Sequence, residues 1–215
     1  MNTRNSLIII LVVALALALA GAVLQPRMET PLATHWNAQG EADGFGGAFE
    51  ALYLLPLVLL GTSLLVLGLP RIDPMRTAKM NFGLVNWVIL LLAGFLSYLH
   101  ILTLAWNLGS RFNMSQMLTP AMGFLFIFMG LIVRKAQPNW FVGIRTPWTL
   151  SNTVVWQKTH DLGGKLFVAS GVIALFGILF PNAAIWLLMA PVLLSALATV
   201  IYSYIVFRQI DAKAG

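Results

Sequence analysis

The stretch "LIIILVVALALALAGAVL", residues 7–24, contains no charged side chain and no side chain that can hydrogen-bond. A helix needs roughly 20 apolar residues to cross the hydrocarbon layer of a bilayer, and this run approaches that length. Its Leu/Ala alternation looks strand-like but carries no weight in so long an apolar run. A cleaved signal peptide is the other reading, with Arg4 ahead of the run and Ala18 and Ala20 as small residues near its end. The apolar core exceeds the usual 7–15 residues of a signal peptide, so a retained helix is expected. Ala14, Ala18 and Ala22, four residues apart, offer a small-residue face for close helix packing.

Working outward, apolar runs recur near 6–25, 50–69, 84–106, 117–133, 165–180 and 183–207. The 215-residue chain is 59% hydrophobic and 9% charged, against about 25% charged in an average soluble domain. So few charges cannot cover a water-facing surface. The runs are too long and too uniformly apolar for barrel strands. The expected fold is an all-α integral membrane protein with six transmembrane helices. Its expected divisions are helices 1–2 with their loop (1–70), helices 3–4 (71–133), a long loop (134–164), and helices 5–6 with a short tail (165–215).

Six spans leave seven aqueous segments. Eleven of the 13 Lys and Arg residues fall on one side: Arg4; Arg71, Arg76 and Lys79; Arg134, Lys135, Arg145, Lys158 and Lys165; Arg208 and Lys213. Only Arg27 and Arg111 fall on the other. Lys and Arg accumulate on the cytoplasmic side, so both termini are expected inside. This bias accounts for the net charge of +6 without a nucleic-acid partner. The absence of cysteine excludes disulfide and thiol chemistry.

The first loop, 26–47, is then expected outside. It carries Glu29, His35, Glu41 and Asp43, and "NAQG" (37–40) and "EADGFGG" (41–47) read as consecutive tight turns. One reading is a compact cap over the outer ends of helices 1 and 2. Another is a site in which His35, Glu41 and Asp43 hold a divalent cation or a basic group of a peptide, although their spacing matches no specific metal motif. No cofactor is indicated.

The fourth loop is "RKAQPNWFVGIRTPWTLSNTVVWQKTHDLGG", residues 134–164. Pro and Gly make 137–148 irregular. Thr149 or Ser151 can cap a helix running to about His160, on which Trp156 and His160 are i,i+4 neighbours. Trp140, Trp148 and Trp156 lie in this loop, and Trp favours headgroup depth, so the loop is expected against the membrane or under the bundle. Arg145 has two readings. It can pair with Asp161 or with helix-end carbonyls, or its planar fork can contact a partner or a phosphate.

Two phrases carry a resemblance. Pro31, His35, Trp36, Asn37, Gly40, Asp43 and Gly44 match a short domain of unknown function found in bacterial membrane proteins. Asn139, Gly143, Ile144, Arg145, Thr146, Pro147, Trp156 and His160, with Gly163, resemble the core of the SdpI-like family, immunity proteins of a sporulation-delaying toxin system. The resemblance implies a bacterial inner-membrane immunity or signalling protein, binding rather than catalysing. Its implied partners are the lipid bilayer, a secreted peptide toxin outside and a transcriptional repressor held at the membrane inside. It also implies binding sites at His35, Trp36, Asn37, Gly40, Asp43 and Gly44 outside and at Asn139, Gly143, Arg145, Thr146, Pro147, Trp156 and His160 inside.

Elsewhere, His100 in the third run is either a functional intramembrane group or a hydrogen-bonding residue, with Asn86 and Tyr98 as candidate partners. Apart from Glu50 at the edge of the second run, no acidic residue lies within any span, which counts against a proton-coupled transporter. Pro56, Pro120 and Pro191 are expected to kink or cap spans. Gly61/Gly68 and Gly123/Gly130, each pair one heptad apart, suit close packing. A small-solute or peptide transporter using Asn86 and His100, and a membrane enzyme using an outer metal, remain alternatives.

Overall fold

A computed structural model describes residues 3–72 and 82–212. Arg76, Lys79 and Lys213 of the charge argument lie outside the described residues. The elements are helices α1 (Thr3–Leu24), α2 (Leu54–Ile72), α3 (Phe82–Asn107), α4 (Met114–Val133), α5 (Pro147–Ser151), α6 (Thr153–Leu175) and α7 (Ala184–Asp211), and strands β1 (Leu32–Trp36) and β2 (Ala42–Gly46). A π-helical turn, Phe49–Tyr53, leads into α2. Among the described residues, six helices are long and apolar enough to cross a membrane. Their outward faces carry Val12, Leu15, Leu64, Leu65, Leu193 and Leu194, while Ser63, Asn86, His100, Thr119, Ser195 and Thr199 are buried between helices. An apolar exterior over a partly polar interior is the arrangement that lipid, not water, stabilises.

The first three helices share one core of Ile10, Ala14 and Leu17 from α1, Leu59 and Leu67 from α2, and Ile89, Ala93 and Leu96 from α3. The packed stripe of α1 is thus Ile10, Ala14, Leu17 and Gly21, whose spacing of four, three and four keeps one helical face. The expected Ala14/Ala18/Ala22 face drifts off it, and Ala22 is exposed. Ser6 donates to the side-chain oxygen of Asn86 at 2.7 Å, tying α1 to α3. His100 bonds the carbonyl of Leu17 at 3.2 Å, and Tyr98 donates to the carbonyl of Met117 at 2.8 Å. His100 therefore links helices through a backbone carbonyl rather than through Asn86 or Tyr98.

The last three long helices form a second unit. A Cβ on Gly123 would lie 2.9 Å from the carbonyl of Gly171, and one on Gly130 would lie 2.5 Å from that of Gly164. The reciprocal approaches are equally short, so α4 and α6 run antiparallel with backbones touching at two points one heptad apart. Only glycine permits this. Gly61 and Gly68 instead face open space, so the packing expected of that pair does not form. Pro120 lies inside α4 and leaves the carbonyl of Gln116 without its helical donor; the Thr119 hydroxyl supplies one at 2.8 Å. Between α6 and α7, Ser170 meets Ser195 at 2.8 Å.

Candidate functional site

The two motif loops cap opposite ends of the bundle. At one end, Asn37 builds the turn. Its carbonyl accepts from Gly40 N–H at 2.9 Å, and its side-chain oxygen accepts from Glu41 N–H at 3.0 Å. Gly40 takes φ +81°, where a side chain is strained, and it packs directly on Asn113. Asn113 is the N-cap of α4. It accepts from Gln116 N–H at 2.9 Å and donates to the carbonyl of Gln39 at 2.6 Å. Ser115 donates to the carbonyl of Asn37 at 3.2 Å. The turn is thereby clamped to the start of α4, while β1 packs on α3 and on the π-helical turn that leads into α2.

After the turn the chain pairs instead of turning again. β1 and β2 form an antiparallel hairpin, with His35 opposite Gly44 and Trp36 opposite Ala42. "EADGFGG" was expected as turns; in it, Ala42–Gly46 is a strand. Gly44 is required because a Cβ there would sit 2.8 Å from that of His35. His35 Nδ1 and Asp43 Oδ1 meet at 2.6 Å on the exposed side of the hairpin. Glu41 does not join them; it accepts from the Asn37 amide at 3.3 Å. Among the described residues no group of three His, Asp or Glu side chains gathers to hold a metal ion. Trp36 packs edge-on against Trp106, with ring centroids 5.8 Å apart.

Sequence reasoning missed Asn107, which anchors the hairpin. The last residue of α3, it accepts from Ala33 N–H at 2.8 Å and donates to Ala33 C=O at 3.0 Å. Its amide thus acts as one rung of a third strand along β1, satisfying a fully buried backbone unit. A lone asparagine at the close of an apolar run was the available signal.

At the other end, Asn139 uses its whole amide. Its oxygen accepts from Phe141 and Val142 N–H at 2.8 and 2.6 Å, and its nitrogen donates to the carbonyls of Gln137 and Val142, both at 2.8 Å. Gly143 has φ +119° and lies against His160 Nε2. Ile144 N–H donates to that same Nε2 at 3.0 Å, and His160 Nδ1 faces the carbonyl of Trp156 at 2.8 Å. A backbone donor needs an unprotonated acceptor and a carbonyl needs a proton, so the two bonds assign a neutral ring protonated at Nδ1. The Trp156 and His160 rings stack at 3.9 Å, 18° apart, both buried, and Trp156 Nε1 donates to the carbonyl of Ala136 at 2.9 Å.

Helix capping follows from the same segment. Thr146, not Thr149 or Ser151, caps α5, with Thr149 completing a reciprocal capping box and Pro147 at its start. Asn152 caps α6 by accepting from Val154 and Val155 N–H at 2.8 and 3.2 Å. α6 then runs past His160 to Leu175 as one helix, so the expected short loop helix and the fifth span are continuous. Thr146 also donates to Ser203 of α7 at 3.2 Å, and Gly163 packs against Ile144 and Thr199. The loop is thus fastened beneath α6 and α7.

Arg145 does not pair with Asp161. The partners of Asp161 are Arg134 at 3.1 Å and Lys165 at 2.6 Å. Arg145 is exposed and donates Nη1 to the carbonyl of Trp140 at 2.6 Å. Asn139, Gly143, Thr146, Pro147, Trp156 and His160 together form a rigid platform, and Arg145 is the charged group on it.

Residues 135–203 match the model of the SdpI/YfhL protein family. Residues 11–60 match a domain of unknown function, DUF1648, which covers most of α1, the hairpin and the start of α2. The chain is similar to the "Immunity protein SdpI" of Bacillus subtilis (strain 168), with 23% identity over 211 residues, 98% of this chain and 99% of that one. No solved structure matches. The DUF1648 match contains the clamped turn, and the SdpI/YfhL match contains the whole platform.

Proposed function

We propose that this protein is an immunity-type protein of the bacterial cytoplasmic membrane that works by binding, not by catalysis. The observation that carries the reading is the end-to-end similarity to an immunity protein, 98% of one chain against 99% of the other. Such coverage includes both motif loops in order. In this reading the hairpin end faces outward and meets a secreted peptide toxin. The platform end, both termini and most Lys and Arg residues face the cytoplasm, in line with the charge bias. There Arg145 offers a guanidinium in a fixed frame to a cytoplasmic partner, such as a transcriptional repressor held at the membrane. The internal bonds of the platform support a recognition surface, since they use the polar groups of Asn139 and His160 to fix the backbone. The direct test is expression in a strain killed by a secreted peptide toxin. Survival at parent-level membrane abundance is expected, and unchanged killing across a toxin panel contradicts the proposal.

A further inference from the structure

A groove of about 380 Å³ opens between the hairpin turn and the α3–α4 connection. Gln39 and Glu41 form one wall, and Trp106, Arg111, Phe112 and Asn113 the other. Its cation is held in place. The Arg111 guanidinium lies 3.8 Å from the centre of the Trp106 ring and donates Nη1 to the carbonyl of Trp106 at 3.0 Å. Glu41 is exposed across the groove, and among the described residues its side chain is held by the long Asn37 bond alone. No ion pair joins Glu41 to Arg111, although both line the same space. Opposite charges on facing walls, not paired with each other, complement a ligand that carries both signs.

The depth of the groove selects the ligand. α3 ends at Asn107 and α4 begins at Met114, so the walls at 106–113 stand where two spans leave the apolar layer. Trp106 and Trp36 are the residue type that sits at headgroup depth. Leu108 beside the groove is exposed, and Phe112 adds an apolar surface to its wall. We propose that this groove binds the headgroup of a zwitterionic phospholipid with a primary ammonium, phosphatidylethanolamine. Arg111 and the neighbouring Asn113 amide receive the phosphate, for which a guanidinium fork is suited. Glu41 accepts the ammonium N–H groups. A trimethylated ammonium has no N–H to give, and an uncharged glycerol headgroup has no cation.

The test is native mass spectrometry of the detergent-purified full chain with phosphatidylethanolamine, phosphatidylcholine or phosphatidylglycerol of identical acyl chains. Preferential retention of one phosphatidylethanolamine is expected. It falls about tenfold in both Arg111→Gln and Glu41→Gln, the scale of one lost charge-assisted bond. Glu41 is exposed and glutamine is nearly isosteric, so E41Q carries the test even if R111Q misfolds. Equal retention of all three lipids, preference for phosphatidylglycerol, or unchanged binding by E41Q overturns the proposal. Retention of a Lys-Gly-Glu tripeptide without discrimination among lipids also overturns it and assigns the groove to a peptide.

Discussion

Gly143→Ala places a methyl group against the atom on which the platform turns. Two costs add. Glycine at φ +119° becomes a residue that resists that conformation, which costs about 1–3 kcal/mol. The new Cβ also meets His160 Nε2, which accepts Ile144 N–H at 3.0 Å. The ring cannot swing aside freely, because it stacks on Trp156 at 3.9 Å and holds the Trp156 carbonyl through Nδ1. Loss of the Ile144 bond adds about 1–3 kcal/mol for a poorly solvated donor. Together the change is expected to cost about 2–6 kcal/mol, a large part of a typical folding free energy. The assay is unfolding free energy in mixed micelles, arranged as a cycle with His160→Ala. In the His160→Ala background the obstacle is gone, so Gly143→Ala costs only the backbone part. Gly61→Ala is the control: nothing lies within 4 Å of its Cβ position, and alanine in a helix is neutral or stabilising by up to about 1 kcal/mol. Parent-like stability of Gly143→Ala, or an equal cost in both backgrounds, refutes the reasoning.

Three further outcomes are expected. Cysteines introduced singly at Ala38 and Ser110 of this cysteine-free chain label with an impermeant thiol reagent in intact cells, and one at Gln137 does not; the reverse pattern inverts the orientation. Asn107→Leu removes both bonds to the buried backbone of Ala33 and costs about 2–4 kcal/mol. Hydrogen exchange at Ala33 then rises well above the rate in the parent; unchanged protection denies Asn107 its role as anchor. Arg145→Lys and Arg145→Ala both insert at near-parent levels and both lose protection, because lysine keeps the charge without the planar fork. Full protection by Arg145→Lys removes the recognition role, and loss of both variants from the membrane makes Arg145 structural.

The spans were legible in the sequence because twenty-residue apolar runs admit few alternatives. The Trp156–His160 contact was legible because i,i+4 neighbours on a helix must meet. Packing faces were harder to read. Gly61/Gly68 and Gly123/Gly130 share one spacing, but only the second pair meets a partner helix, whose identity lies far along the chain at Gly164 and Gly171. The hairpin was hidden because "ADGFG" is rich in turn residues, and its pairing rests on the match to β1 and on the Asn107 rung. The Arg145–Asp161 pair was a plausible reading of two charges 16 positions apart in a loop. It fails because α6 is continuous there and turns Asp161 toward Arg134 at the C-cap of α4. The motif residues stand out in the sequence, but not their work: most fix backbone through bonds that no linear pattern displays.

In the proposed function the protein acts on a peptide by holding it unchanged. The most direct measurement incubates the purified chain in nanodiscs with the secreted peptide against which its expression protects, and follows bound and free peptide by mass. The account predicts saturable, stoichiometric retention with the mass of the peptide unaltered. Shortened or modified peptide accumulating in excess over the protein, or no retention of a peptide against which the cells are protected, contradicts it.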